Sequence, residues 1–96
     1  VRRGPITVTW RPGEPAEPTR VAYAIGRKVG GAVVRNRIRR RLRAIVLEIR
    51  PLLRPGSYLI GAAAEAAALS YGELRRTVSA AVVAVVDRSP RPEGHR

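Results

Sequence analysis

Between Arg35 and Arg43 the chain reads RNRIRRRLR, six arginines in nine residues broken only by Asn36, Ile38 and Leu42. So dense a run of like charge folds only if something apolar recurs through it at a fixed period. Here Val34, Ile38, Leu42, Ile45 and Ile49 recur at steps of four, four, three and four, the spacing of one helix face. Asn36, Arg37, Arg39, Arg40 and Arg43 then project over the opposite face. The pattern predicts a helix over 32–50 with an apolar keel and an arginine face, and such a keel requires a second layer to cover it.

The rest of the chain supplies that layer. Residues 5–10, PITVTW, alternate, with Ile6, Val8 and Trp10 on one side and Thr7 and Thr9 on the other, which predicts a half-buried strand. Residues 11–19 carry three prolines and a glycine and read as an exposed connection. A second strand is expected at 20–26, with Val21, Tyr23 and Ile25 on one face. Its other face, Ala22, Ala24 and Gly26, is bare, as where a helix or ligand lies across a strand. Arg27 and Lys28 close that strand before the Gly30-Gly31 break. Residues 57–63 form a short apolar run consistent with a buried strand. Ser70 and Glu73 have capping-box spacing, and Leu74, Val78, Ala81, Val82 and Val85 trace the apolar face of a final helix. By their phase, Trp10, Tyr23, Tyr58 and Tyr71 belong mostly to the core. The order β-β-α-β-α predicts an α+β fold, a two-layer sandwich with both helices on one face of a small sheet. The expected division is one α/β domain over 1–86 and a disordered basic tail over 87–96.

Charge points to the partner. Nineteen Lys and Arg against seven Asp and Glu give a net charge of +12, and from Arg27 to Arg43 there is no acid at all. Solvated helix faces mix signs, whereas like charges at helical spacing repel. An arginine face therefore implies a polyanion, since planar guanidinium forks match phosphate oxygens. An anionic membrane fits less well, because the keel is aliphatic and committed to the sheet. A DNA-reading helix is also weaker, because arginines with one asparagine offer much phosphate contact and little base-edge vocabulary. No apolar stretch is long enough to span a bilayer and no signal peptide is visible, so a cytoplasmic location is expected. The start at Val1 without methionine reads as a fragment or a processed form.

Enzyme chemistry is not visible. The absence of cysteine excludes disulfides and thiolate metal sites. The sole histidine, His95, falls in the tail, and the scattered acids offer no pair for acid–base catalysis or hard-metal binding. No catalytic and no metal-ligating residue is assigned, and no protein partner is expected.

The segment 20–45, RVAYAIGRKVGGAVVRNRIRRRLRAI, strongly resembles the protein subunit of bacterial ribonuclease P. In that family a strand of the type VGxSVSKK leads through a G-N-A-V turn into an RNR helix ending in R-L-R. Arg35, Asn36 and Arg37 match the RNR triplet, Arg39, Arg40 and Arg43 its further basic positions, and Arg27 and Lys28 the basic pair. The resemblance continues through GSYLIGAA to LSYGEL at 69–74 and covers roughly residues 4–86.

What the resemblance implies is a non-catalytic subunit of a ribonucleoprotein endonuclease that removes the 5′ leader of precursor tRNA. The RNA subunit performs the Mg2+-dependent hydrolysis, and the protein alone binds no cofactor. The implied partners are the RNA subunit, docked by Arg35, Asn36, Arg37, Arg39, Arg40 and Arg43, and precursor tRNA. Thr7, Thr9, Ala22, Ala24, Gly26, Arg27 and Lys28 would border the leader cleft. The implied fold is ribosomal-protein-S5-domain-2-like, with a left-handed β-α-β crossover. Three positions depart from the family pattern: Thr9 replaces a cleft aromatic, Gly31 the turn asparagine and Ala63 an arginine. Residues 1–5 fall where a Phe-bearing N-terminal helix should be ending, and the chain has no Phe. The residues themselves leave a ribosomal or general RNA-binding protein as the alternative.

Overall fold

The structure is a computed structural model that describes residues 1–88. The chain runs β1 (Arg2–Arg3), β2 (Ile6–Pro12), β3 (Arg20–Ile25), α1 (Ala32–Glu48), β4 (Gly56–Ala62) and α2 (Tyr71–Arg88). The sheet order is β1-β2-β4-β3, so the last strand made is an inner one. β4 pairs antiparallel with β2 and parallel with β3, and α1 is the crossover between the parallel pair.

Alternation decides which face is covered. Ile6 and Val8 of β2, Tyr58 and Ile60 of β4 and Ile25 of β3 are buried under the helices. Ile38, Leu42, Ile45 and Ile49 of α1 meet Leu74, Val78, Ala81 and Val82 of α2 in the same core. Both helices therefore lie on one face, and the other face is open, as the two-layer expectation had it. Trp10 is half-buried at the margin, stacked on Tyr58 with ring centres 6.1 Å apart. The start of α2 carries the capping box: Glu73 N donates to Ser70 Oγ at 3.1 Å, and Ser70 N donates to Glu73 Oε1 at 2.8 Å. Among the described residues no helix is long and apolar enough to cross a membrane.

Several expectations are corrected. Residues 2–3 are a strand rather than the end of a helix. Gly4, at φ +54°, and Pro5 form a two-residue hairpin loop that sets Arg3 opposite Ile6. β2 continues two residues beyond Trp10, because Arg11 and Pro12 still find partners on β4. β3 ends at Ile25, and Arg27 and Lys28 sit in a short 3-10 turn, Arg27–Val29, instead of closing the strand. α1 stops at Glu48, two residues early, and Pro51 falls in a further 3-10 turn. β4, expected to be buried, has only one buried face: Leu59 on the other is 46% exposed. On α2, Val86 completes the buried stripe and Val85 is only partly buried. The helix runs through Arg88, past the expected boundary at 86, while tail positions 89–96, with His95, lie outside the described residues.

One close approach locks the end of the sheet. Gly56 is buried with φ +142°, and a Cβ there would collide with the Arg11 carbonyl oxygen and stand 2.7 Å from Trp10 Nε1. Gly26 has open space around it and no unusual φ. Gly56→Ala is expected to cost more than about 1 kcal/mol, and Gly26→Ala to stay within about 0.5 kcal/mol of the parent. Urea denaturation of the two variants checks the contrast.

Candidate nucleic-acid interface

Because α1 advances about 100° per residue, its polar positions separate into rows. Arg35, Arg39 and Arg43 form one row at spacing four. Asn36 and Arg40 form the outermost row, and Arg37 and Arg41 lie on the flank facing α2. Arg39 Nη1 donates to Asn36 Oδ1 at 3.2 Å, which holds the first two rows together. Asn36, Arg39, Arg40 and Arg43 line a concavity of about 380 Å³ with Val33, which is 83% exposed. Four of the six expected docking residues are thus brought together. Arg35 and Arg37 lie outside this concavity.

Arg35 is half-buried, and its Nε has no hydrogen-bond partner. A desolvated cationic donor without an acceptor is costly and is relieved when an anion arrives. Arg43 lies near Tyr23, whose hydroxyl pKa is raised by burial and only partly lowered by the Arg43 charge. Arg41 does something different from its neighbours. Its Nη1 donates to the Leu69 carbonyl at 3.2 Å, spending the side chain on the approach to α2.

At the far end of α1 a second contact fixes the helix pair. Glu48 accepts from Tyr71 Oη at 2.7 Å and from Arg75 Nε at 2.5 Å. The hydrogen bonds from Tyr71 and Arg75 hold its carboxyl below the ordinary glutamate value. This is the sole ion pair among the described residues, and it stands at the opposite end of the helix from the first arginines.

The open sheet face is the second surface. Pairing sets Thr7, Gly61 and Ala24 in one row and Thr9, Leu59 and Ala22 in the next. All of Thr7, Thr9, Ala22, Ala24 and Gly26 are exposed, so the bare face expected at β3 is present and continues onto β2. Arg27 and Lys28, both exposed, stand just past the end of β3. Gly61 keeps the floor flat, since a Cβ there would lie 2.6 Å from Thr7 Oγ1. A shallow pocket of about 330 Å³ over this floor is lined by Arg2, Thr7, Ala24 and Gly61 among others. Sequence reasoning missed Leu59, Gly61 and Arg2. The alternation Ser57, Leu59, Gly61 against Tyr58 and Ile60 was available as a signal; the short apolar run masked it. Arg2 carried none, because its place depends on the Gly4-Pro5 loop. Among the described residues no three His, Cys, Asp or Glu side chains converge as metal ligands.

Residues 1–85 match the family model described as Ribonuclease P. The chain belongs to the ribonuclease P protein family. The ribonuclease P protein component of Symbiobacterium thermophilum is 50% identical over 62 residues, covering 64% of this chain and 54% of the relative. That of Streptomyces bikiniensis is 42% identical over 72 residues, covering 74% and 58%, and that of Thermobifida fusca 41% identical over 85 residues, covering 88% and 54%. The chain thus spans about half the length of the curated relatives it matches. The solved Staphylococcus aureus RNase P protein superposes with a TM-score of 0.77 at 17% identity, covering 92% of this chain and 79% of that one, and shares the fold.

The Glu48 contacts predict an acid-side pH dependence. A carboxyl lowered in the folded state stabilises above the unfolded pKa, and its contribution disappears as pH falls through the folded pKa. Glu48→Gln is expected to flatten the acid limb of stability against pH, read by circular dichroism.

Proposed function

We propose that this chain is the RNA-binding subunit of a ribonuclease P ribonucleoprotein, which promotes 5′-end maturation of tRNA without catalytic residues of its own. One observation carries the reading beyond family membership. Arg35, Arg37, Arg39, Arg40 and Arg43 are mounted on a packed helix, and none of them pairs with a carboxylate among the described residues. Family membership supports the RNA subunit as the polyanion that complements them.

The division of labour follows from the two surfaces. Asn36, Arg39, Arg40 and Arg43 form a concave cationic cradle, with Arg35 and Arg37 on its flanks, suited to the phosphates of a folded RNA. The open face, with its hydroxyls at Thr7 and Thr9 and its bare strip at Ala22, Ala24 and Gly26, suits a single strand lying flat. That strand is the 5′ leader of precursor tRNA, with Arg27 and Lys28 at the end nearest α1. The hydrolysis, with its Mg2+, belongs to the RNA subunit. The protein's part is to bind and orient. With Thr9 where the family pattern has an aromatic, hold on the leader rests on phosphate and hydroxyl contacts more than on base stacking.

Replacing Arg35, Arg37 and Arg39 together by Ala is expected to weaken binding to the RNA subunit. It should also reduce the log–log salt slope by about 2–3, since each lost phosphate contact removes about 0.7–0.9. Filter binding over a salt series reads both quantities. Unchanged affinity and slope would overturn the assignment of α1, and failure of the parent chain to stimulate precursor cleavage by the RNA subunit at low magnesium would overturn the function.

A further inference from the structure

Two arginines outside α1 flank a serine at the far end of the open face. β2 sets Arg11 opposite Ser57, and β3 sets Arg20 opposite the same residue, so the three stand side by side across three strands. All three are exposed, and together they line a pocket of about 300 Å³. Neither guanidinium has a hydrogen bond or an ion pair among the described residues. The pocket also holds Glu17, whose Oε1 is occupied by the Glu14 N–H at 3.0 Å. Two guanidinium groups against one committed carboxylate leave the pocket positive.

The row is built into the fold. Gly13 N donates to the Pro55 carbonyl at 3.1 Å and Trp10 Nε1 to the same oxygen at 3.3 Å, closing β2 against the start of β4. The buried Gly56 leaves no room for a side chain between them. This closure fixes the register that brings Arg11 to Ser57. Four residues along the strands lie the Thr7, Gly61 and Ala24 row and the Arg2 pocket, about 13 Å away at the usual strand rise. Between the two cationic ends the floor consists of Thr9, Leu59 and Ala22, with Leu59 offering an exposed apolar surface.

We propose that Arg11, Ser57 and Arg20 form a phosphate subsite for single-stranded RNA, several nucleotides along the strand from the phosphates met by Arg27 and Lys28. Planar guanidinium forks on both sides and a hydroxyl donor between them match the oxygens of a backbone phosphodiester. The span across the sheet corresponds to the low end of the roughly 4–16 nucleotides that single-strand-binding folds cover. That the strand is a tRNA leader rests on the function proposed above; the subsite itself does not.

The test uses the full chain in two arms. In the first, an unstructured RNA oligonucleotide binds the chain alone over a salt series. Arg11→Ala/Arg20→Ala should lower the salt slope by about 1.4, or about 0.7 per lost contact on a single strand, while Arg11→Lys/Arg20→Lys keeps it. In the second, the chain is assembled with the RNA subunit and assayed on precursors whose leaders lengthen one nucleotide at a time. Parent affinity should rise several-fold once the leader reaches the subsite, and the double alanine variant should lose that rise while matching the parent on the shortest leaders. An unchanged slope in the first arm overturns the subsite. A lowered slope with no leader-length effect keeps the RNA subsite and removes the leader as its occupant. Loss of stimulation by the parent chain, with the slope still lowered by the variant, overturns the proposed function and leaves the subsite standing.

Discussion

Everything this protein presents to a partner depends on the contact between the apolar keel of α1 and the layer beneath it. Ile38, Leu42, Ile45 and Ile49 are buried almost completely, and each such side chain contributes about 1.5–3 kcal/mol on leaving water. Against this stand the like-charged neighbours Arg35 and Arg39, Arg37 and Arg41, Arg39 and Arg43, Arg37 and Arg40, and Arg40 and Arg43. Such pairs cost about 0.2–0.5 kcal/mol each on an exposed helix. Burial wins by a clear margin. The helix can therefore hold its arginines in place before any anion arrives, and binding does not have to supply the folding of the surface it uses.

The acids are distributed to the same end. The sole acidic residue of α1, Glu48, closes the helix at its C-terminal end and is engaged by Tyr71 and Arg75 of α2. Glu73 is likewise spent, on the cap of α2. Neither carboxylate neutralises the cradle formed by Asn36, Arg39, Arg40 and Arg43. Charge separation within the chain, rather than net charge alone, is what gives the protein a cationic front.

The helical phase of 34–49 and the alternation of 6–10 were legible in the sequence because each is a local pattern with a fixed period. They identified the keel, the arginine rows and the exposed Thr7 and Thr9, and the small residues of β3 marked the bare face. What escaped depends on partners distant in the chain. The alternation around Leu59 signals one open side, but nothing near it shows that β4 lies between β2 and β3. The helical phase left Arg41 off the arginine face, but nothing in RNRIRRRLR shows that it turns to the Leu69 carbonyl. Arg11 reads as a loop charge and Arg20 as the start of a strand, and only a strand from later in the chain aligns them. Periodicity reports which way a side chain points; only register reports what stands beside it.

The position of β4 has a consequence for how the protein comes into being. β2 and β3 do not pair with each other; both wait for residues 56–62, with Thr9 meeting Leu59 across fifty positions of chain. A ribosome therefore releases β2, β3 and the arginine helix before it releases the strand that unites them. Closing so long a loop is slow compared with forming local turns and helices. During that interval the keel of α1 has no sheet to rest on, and the nascent chain is a cationic segment in the company of ribosomal RNA. The arginine face gains its supporting sheet only when β4 is in place.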